Sequence, residues 1–265
     1  LQGRFRKAIA IIFGKEKTVS YIKNVLSGLG LQEAITYSLV NRDLLTKSGI
    51  KLEVKLIEIL NPLSSEQEVL RPTLLPSLTR CLAYNLNQQQ EYVNIFEIAN
   101  IFSGGVKSAR HPALSDGSVR ASAQHPALAD GPVRASAQEE LSLGIALCGT
   151  NSFLLKQGLI KDEITLLHLK GILEKLFSKL GVQEYDFKNK GVKEISIVVG
   201  QQEVGAILDL NKQVLDAFDI KNKQVVLAEI NLEKILTHIN LEKKFLSLPR
   251  YPAITRDISF VVKDD

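Results

Sequence analysis

Methionine is missing from all 265 residues, and residue 1 is a leucine. A complete reading frame would show its initiator, so the chain is expected to be a piece of a longer one. Cysteine occurs only at Cys81 and Cys148, far apart and each in an apolar setting. Two thiols cannot make a disulfide scaffold, and a zinc site would need more ligands at closer spacing. Buried, reduced thiols are expected. No apolar run approaches the roughly 18 residues of a membrane span. The most apolar early stretch, AIAIIFG after RFRK (residues 4–14), has the outline of a signal peptide. It is too short, and KEK follows where a cleavage site needs small residues. It reads as a buried strand, and the cytosol is the expected compartment. Excess charge is also scarce. A net +4 permits nucleic-acid contact through local patches without demanding it.

What is present suits a folded α+β protein. The hydrophobic fraction is 45%, and the length allows one large domain or two small ones. Val19, Ile22, Val25, Leu26 and Leu29 recur at helical spacing, and Gly30 can close that helix. EAITYSLV (33–40) reads as a strand, and NRDLL as a helix capped by Asn41. VKLIEIL (54–60) reads as a strand that stops at Pro62. Ser64 with Gln67 fits a capping box on one helical turn. Pro72 pushes Arg71 into an extended conformation, and Thr73 can cap the next helix, whose stripe is Leu74, Leu75, Leu78, Leu82 and Leu86. YVNIFEIANIF and LSLGIALCG read as strands. Leu169, Ile172, Leu173, Leu176 and Leu180 mark a helix closed by Gly181. EISIVVGQQEVGAILDL reads as a hairpin, and QVVLAEINL as a strand followed by a short helix. The class is α+β, a mixed but mostly antiparallel sheet carrying helices.

Between two of these strands lies a tandem repeat. HPALSDGSVRASAQ (111–124) is followed at once by HPALADGPVRASAQ (125–138), with changes only at Ser115/Ala129 and Ser118/Pro132. A 14-residue polar unit repeated twice cannot bury a solenoid core. Each copy carries a His and an Arg, so a metal or RNA role is conceivable. A duplicated, flexible surface insertion is the reading that its Ala, Ser, Gly and Pro favour.

GLGLQEAITYSLV, NPLSSEQEVLRPTLLPSLTRCLAYNLNQQQ, NIFEIANIF, LLHLKG, EVGAILDLN and LPRYPAITRDISFVV, in this order and spacing, resemble the bacterial phenylalanyl-tRNA synthetase β subunit. The resemblance covers about residues 15–265 apart from the repeat. It implies a class II synthetase-like core over 15–240 with the insertion at 106–140. Residues 1–14 would be a remnant or linker. Residues 241–265 would be a linker and the first strand of a ferredoxin-fold anticodon-binding domain. Implied partners are the synthetase α subunit, in a heterotetramer, and tRNA(Phe). The family complex uses ATP and Mg²⁺. The family's magnesium-binding acidic residues lie upstream of the matched region, so no metal ligand is carried over and no cofactor is expected on this fragment. His168 stands where the family tends to have Asp, and reads as a helix-surface residue rather than a ligand.

A class II aminoacylation site needs cations against ATP phosphates. The resemblance implies one arginine at the end of the strand NIFEIANIF and a second in a late Gly-rich motif. Here Phe102 is followed by Ser103, and EVGAILDL holds one glycine and no arginine. A catalytically silent core is therefore expected. The alternative is a self-sufficient class II-like ATP-dependent ligase. Arg71 reads as a corner arginine paired with Glu97 or Glu68, or else as a residue facing the partner subunit. The expected partner interface comprises Ile35, Tyr37, Leu39, Asn61, Pro62 and Arg71, unless both faces of that strand are internal to this chain. Arg250, Arg256 and Lys263 are the expected tRNA phosphate contacts, against the plainer reading of solvated surface charges.

Overall fold

The computed structural model describes residues 2–50, 54–104, 137–149 and 164–241, with side chains from Gly14 onward. The fold grows around a seven-stranded sheet. Helix α1 (Gln2–Gly28) leads into β1 (Gln32–Glu33), β2 (Leu39–Val40) and α2 (Arg42–Lys47). Then come β3 (Val69–Leu70), α3 (Leu75–Asn87), β4 (Val93–Gly104) and β5 (Ala137–Cys148). The rest is α4 (Leu166–Leu180), β6 (Tyr185–Gly191), β7 (Glu194–Val199), β8 (Gln202–Asp209), α5 (Lys212–Ala217), β9 (Val225–Asn231) and α6 (Leu232–Leu236). The strand order is β1-β4-β5-β9-β8-β7-β6. Only the β1–β4 pairing is parallel, so the sheet is mostly antiparallel, as the sequence patterning predicts.

Each sheet face is closed by helices. Ile22 and Leu26 of α1 and Leu169, Leu173, Leu176 and Leu180 of α4 pack on Phe96, Leu143, Ile145, Ile197, Val226 and Ile230. On the other face, Leu75, Leu78 and Leu82 of α3 and Val214 of α5 cover Val93, Ile95, Ala146, Leu208 and Leu227. Alternation along β5 divides its side chains between the two layers: Leu143, Ile145 and Leu147 to one, Ala146 and Cys148 to the other. Gly181, at φ +68°, ends α4 in the left-handed region, as its position predicts.

Several local expectations are corrected. The apolar run at 8–14 is not a strand but part of α1. Nothing between it and residue 28 breaks a helix, and Thr18 Oγ1 bonds back to the Gly14 carbonyl at 2.8 Å. A seven-residue apolar run cannot by itself distinguish strand from helix. Residues 54–60 form only isolated bridges, Lys55 to Gly104 and Glu58 to Val69. Ser64 and Gln67 close a turn through Gln67 N–H to Ser64 C=O at 3.1 Å rather than a helical turn. β6 and α5 are absent from the sequence reading. Tyr185 and Phe187 of β6 do alternate with polar residues and pack on Phe177, Phe187 stacked and Tyr185 tilted. Asn211 does cap α5 through Val214 N–H.

β4 and β5 stay paired from Val93↔Cys148 to Gly104↔Ala137. The chain therefore leaves and rejoins the sheet at neighbouring positions around residues 105–136. Most of the tandem repeat lies outside the described residues, but its last two residues, Ala137 and Gln138, belong to β5. Residues 137–140, counted with the insertion in the sequence reading, are strand.

Candidate functional site

The tripeptide Arg71-Pro72-Thr73 explains why an arginine precedes a proline at the head of α3. Three residues lie side by side on the α3 face of the sheet: Glu97 on β4, Gly144 on β5 and Glu229 on β9. Neither carboxylate sees solvent, at 2% exposure each. Each needs donors, because an unpaired buried charge is costly. The extended segment before α3 supplies them on both sides of Gly144.

On the β4 side, Arg71 donates from one terminal guanidinium nitrogen to Glu97 Oε1 at 2.9 Å and to Thr36 Oγ1 at 2.8 Å. Its Nε donates to the Asn100 carbonyl at 3.0 Å. Thr36 completes the cluster: its N–H reaches Glu97 Oε1 at 3.1 Å and its hydroxyl reaches Oε2 at 2.8 Å. On the β9 side, Thr73 Oγ1 donates to Glu229 Oε2 at 2.6 Å, and Leu74 N–H donates to Oε1 at 2.8 Å. Glu229 thus caps α3 from another strand, where Thr73 alone was expected to serve; Thr73 Oγ1 also accepts from Leu75 N–H at 3.3 Å. Burial pushes the Glu229 carboxyl above its ordinary value. The Leu74 N–H, the Thr73 and Ser142 hydroxyls and the Arg71 charge pull it the other way without cancelling the rise.

Arg71 is therefore the corner arginine paired with Glu97. It is 2% exposed, and its guanidinium does not reach the surface of this chain. The clamp has a second effect. Because Thr36 N–H goes to Glu97, the expected strand over 33–40 breaks into β1 and β2 with an irregular stretch between. With Thr36 turned inward, its neighbours Ile35 and Tyr37 point out, at 90% and 72% exposure. Leu39 is half-buried opposite Leu70.

The other predicted interface segment behaves alike. Asn61 and Pro62 are exposed, and the flanking Leu60 and Leu63 are almost wholly in solvent, at 96% and 95%. These two leucines escaped the sequence reading. Their signal was their place beside Pro62 in a turn, where an apolar side chain has no core to enter. The turn is held by Ile59 N–H to the Glu68 carbonyl and by Asn41 to Glu66. The chain segments 57–59, 68–70 and 38–40 lie side by side, so this knuckle and the Ile35–Tyr37 stretch belong to one small ribbon. Arg250, Arg256 and Lys263 lie outside the described residues.

His168 caps a helix. Its Nδ1 accepts the Thr165 N–H at 3.1 Å, a capping box at the start of α4 that an aspartate could also make. Cys81 and Cys148 are not joined in a disulfide; Cys148 is buried as expected, Cys81 only half-buried, and burial raises the Cys81 thiol. Among the described residues, no group of three or more His, Cys, Asp or Glu is placed to hold a metal ion. Among the same residues, no helix is long and apolar enough to cross a membrane.

Comparison with known proteins agrees with this architecture. The chain is similar to the phenylalanine–tRNA ligase beta subunit of Carboxydothermus hydrogenoformans, 30% identical over 95% of this chain and 29% of that protein. The beta subunit of Bacillus licheniformis is 31% identical over 91% of this chain and 27% of that protein. The chain thus spans less than a third of the length of these curated relatives. Among solved structures, a pyrrolysyl-tRNA synthetase of Desulfitobacterium hafniense superposes with a TM-score of 0.56 at 17% identity. That match covers 86% of this chain and 66% of the other, and shows the class II synthetase fold. The model of the phenylalanyl-tRNA synthetase beta chain CLM domain matches residues 12–232, and the chain belongs to that family.

Proposed function

We propose that this chain is a catalytically silent module of a phenylalanine-tRNA ligase β subunit. Its work is to hold the catalytic α subunit and to support tRNA(Phe) binding, within a heterotetramer that charges tRNA in the cytoplasm using ATP and Mg²⁺. One observation carries the reading: the sheet is spent on the fold, and large apolar side chains stand outside it. Both sheet faces are filled by apolar side chains from α1, α4, α3 and α5. Ile35, Tyr37, Leu60 and Leu63 meanwhile face solvent on one ribbon. Exposed apolar patches of this kind mark interaction surfaces.

The cations of an activation site find no counterpart among the described residues. Ser103, one residue before the end of β4 and opposite Gln138, stands at the position where the catalytic pattern has arginine. Arg42 pairs with Glu58, Arg71 with Glu97, and Arg80 is exposed on α3. No described guanidinium is left over the sheet to hold a phosphate, which argues against a self-sufficient ligase. Phenylalanine-dependent pyrophosphate exchange tests the reading. The purified chain is expected to show none above background, and exchange is expected when α subunit is present. Stoichiometric exchange by this chain alone would overturn it.

A further inference from the structure

The edge of the sheet beside α3 holds a cavity of about 460 Å³. β1 begins opposite Ile95, so the first two residues of β4 run on past it. The space left there is walled by the C-terminal part of α3 and the segment that follows, and is lined by Glu33, Ile35, Asn85, Gln90, Tyr92 and Asn94. Three features suit it to a positive charge. The Asn94 side-chain oxygen is buried and has no hydrogen-bond partner among the described residues. The Glu33 carboxylate lines the cavity, paired from the α1 side with Lys23. The helix α3 ends here, at the negative pole of its dipole, with no basic residue in its last turn. Among the described residues, no lysine or arginine lines the cavity. We propose that this cavity binds a guanidinium group, the arginine side chain of a partner polypeptide laid over the Ile35–Tyr37 stretch.

The chemistry of the lining selects the ligand. An anion would meet a carboxylate and a helix C-terminus. A bare metal ion lacks ligands, since among the described residues no group of three or more His, Cys, Asp or Glu is placed to hold one. A single water takes up only about 30 Å³, far less than the space available. A guanidinium carries its donors in a flat fork, enough to serve the Asn94 oxygen and the Glu33 carboxylate together. It also stacks on aromatic faces, and Tyr92, 43% exposed, offers one. Ile35 belongs both to this lining and to the outward-facing stretch that ends at Tyr37, so a chain covering those two side chains passes the opening. The inference rests on the assembly reading only for the source of the arginine.

The test is amide NMR of the full, isotope-labelled chain, with N-acetyl-arginine methylamide as the probe and the neutral N-acetyl-citrulline methylamide as its control. Saturable shifts in the millimolar range are expected at the Asn94 and Gln90 side-chain amides with the arginine probe only. Glu33→Gln should weaken binding about two- to fivefold, and Lys23→Gln, which releases Glu33 from its present partner, should tighten it by a similar factor. A merely structural role for these two residues would not give opposite signs. Glu184→Gln, beside β6 at the opposite edge of the sheet, should change nothing. Equal shifts with the citrulline probe, no saturable shift, or the same change in all three variants would overturn the proposal. Tighter binding of free arginine than of the capped probe would overturn its polypeptide source. Complex formation with the α subunit is a separate readout. If the complex forms while the probe does not bind, this inference fails and the assembly reading stands; the reverse result removes the assembly reading and keeps the guanidinium site.

Discussion

Arg71 and Glu229 illustrate how much of this fold depends on a few buried charges. Replacing Arg71 by Ala leaves Glu97 buried beside Thr36 with its cation gone, and breaking a buried pair this way costs about 3–5 kcal/mol. Urea unfolding should show that loss, and Arg71→Lys should recover only part of it, because an ammonium cannot span Glu97, Thr36 and the Asn100 carbonyl as the planar fork does. Glu229 behaves differently with pH. Its folded carboxyl holds the proton more tightly than an ordinary one at 4.5. Its contribution is therefore full below that value and is lost as pH rises through the raised folded value. Glu229→Gln keeps an acceptor for Leu74 N–H and a donor toward Thr73. The variant should gain on the parent as pH rises above 4.5, in melting curves taken across pH. The corner role of Arg71 was legible in the sequence, because Pro72 holds it extended, but the choice of Glu97 over Glu68 needed the register of the sheet. The role of Glu229 was not, because nothing local links it to a helix start 155 residues away.

At the level of elements, α3 lies on the sheet because β5 gives it room. A methyl group on Gly144 would stand 2.5 Å from Leu78 Cδ1 and 3.0 Å from Leu74 Cβ. Gly144→Ala must lift α3, and denaturation should report a cost of about 1–3 kcal/mol. The β4–β5 hairpin makes the opposite prediction. Its arms are paired up to Gly104 and Ala137, so replacing residues 107–136 with a short Gly-Ser linker should leave the melting temperature unchanged or slightly raised. Each halving of a loop saves only about 0.6 kcal/mol of closure entropy. A large loss on shortening would mean that the repeat packs on the body. Strands that are largely apolar and run between turn residues, such as β4 and β7 to β9, could be read from sequence. The helix over 2–14 could not, since an apolar run without a breaker is ambiguous. The irregular stretch over 34–38 also escaped, since a tertiary bond from Thr36 to Glu97 overrides its strand propensity.

At the level of the whole molecule, the class II core is proposed to act as a holder for the catalytic subunit. Its two buried carboxylates are satisfied internally, and among the described residues Ile35, Tyr37, Leu60 and Leu63 are strongly exposed apolar side chains, as are Val192, Leu167 and Tyr84 elsewhere on the surface. Apolar anchors at the centre of an interface are each worth about 2 kcal/mol or more when truncated. The most direct test is sedimentation equilibrium of this chain with purified α subunit, comparing the parent with the variant Ile35→Ser, Tyr37→Ser, Leu60→Ser, Leu63→Ser. All four side chains are exposed, so the variant should keep the parent's fold and melting temperature when alone. The parent is expected to form a stable complex, and the variant to lose affinity by at least about a hundredfold. Equal affinity of both chains for the α subunit, or no complex with either, would contradict the account.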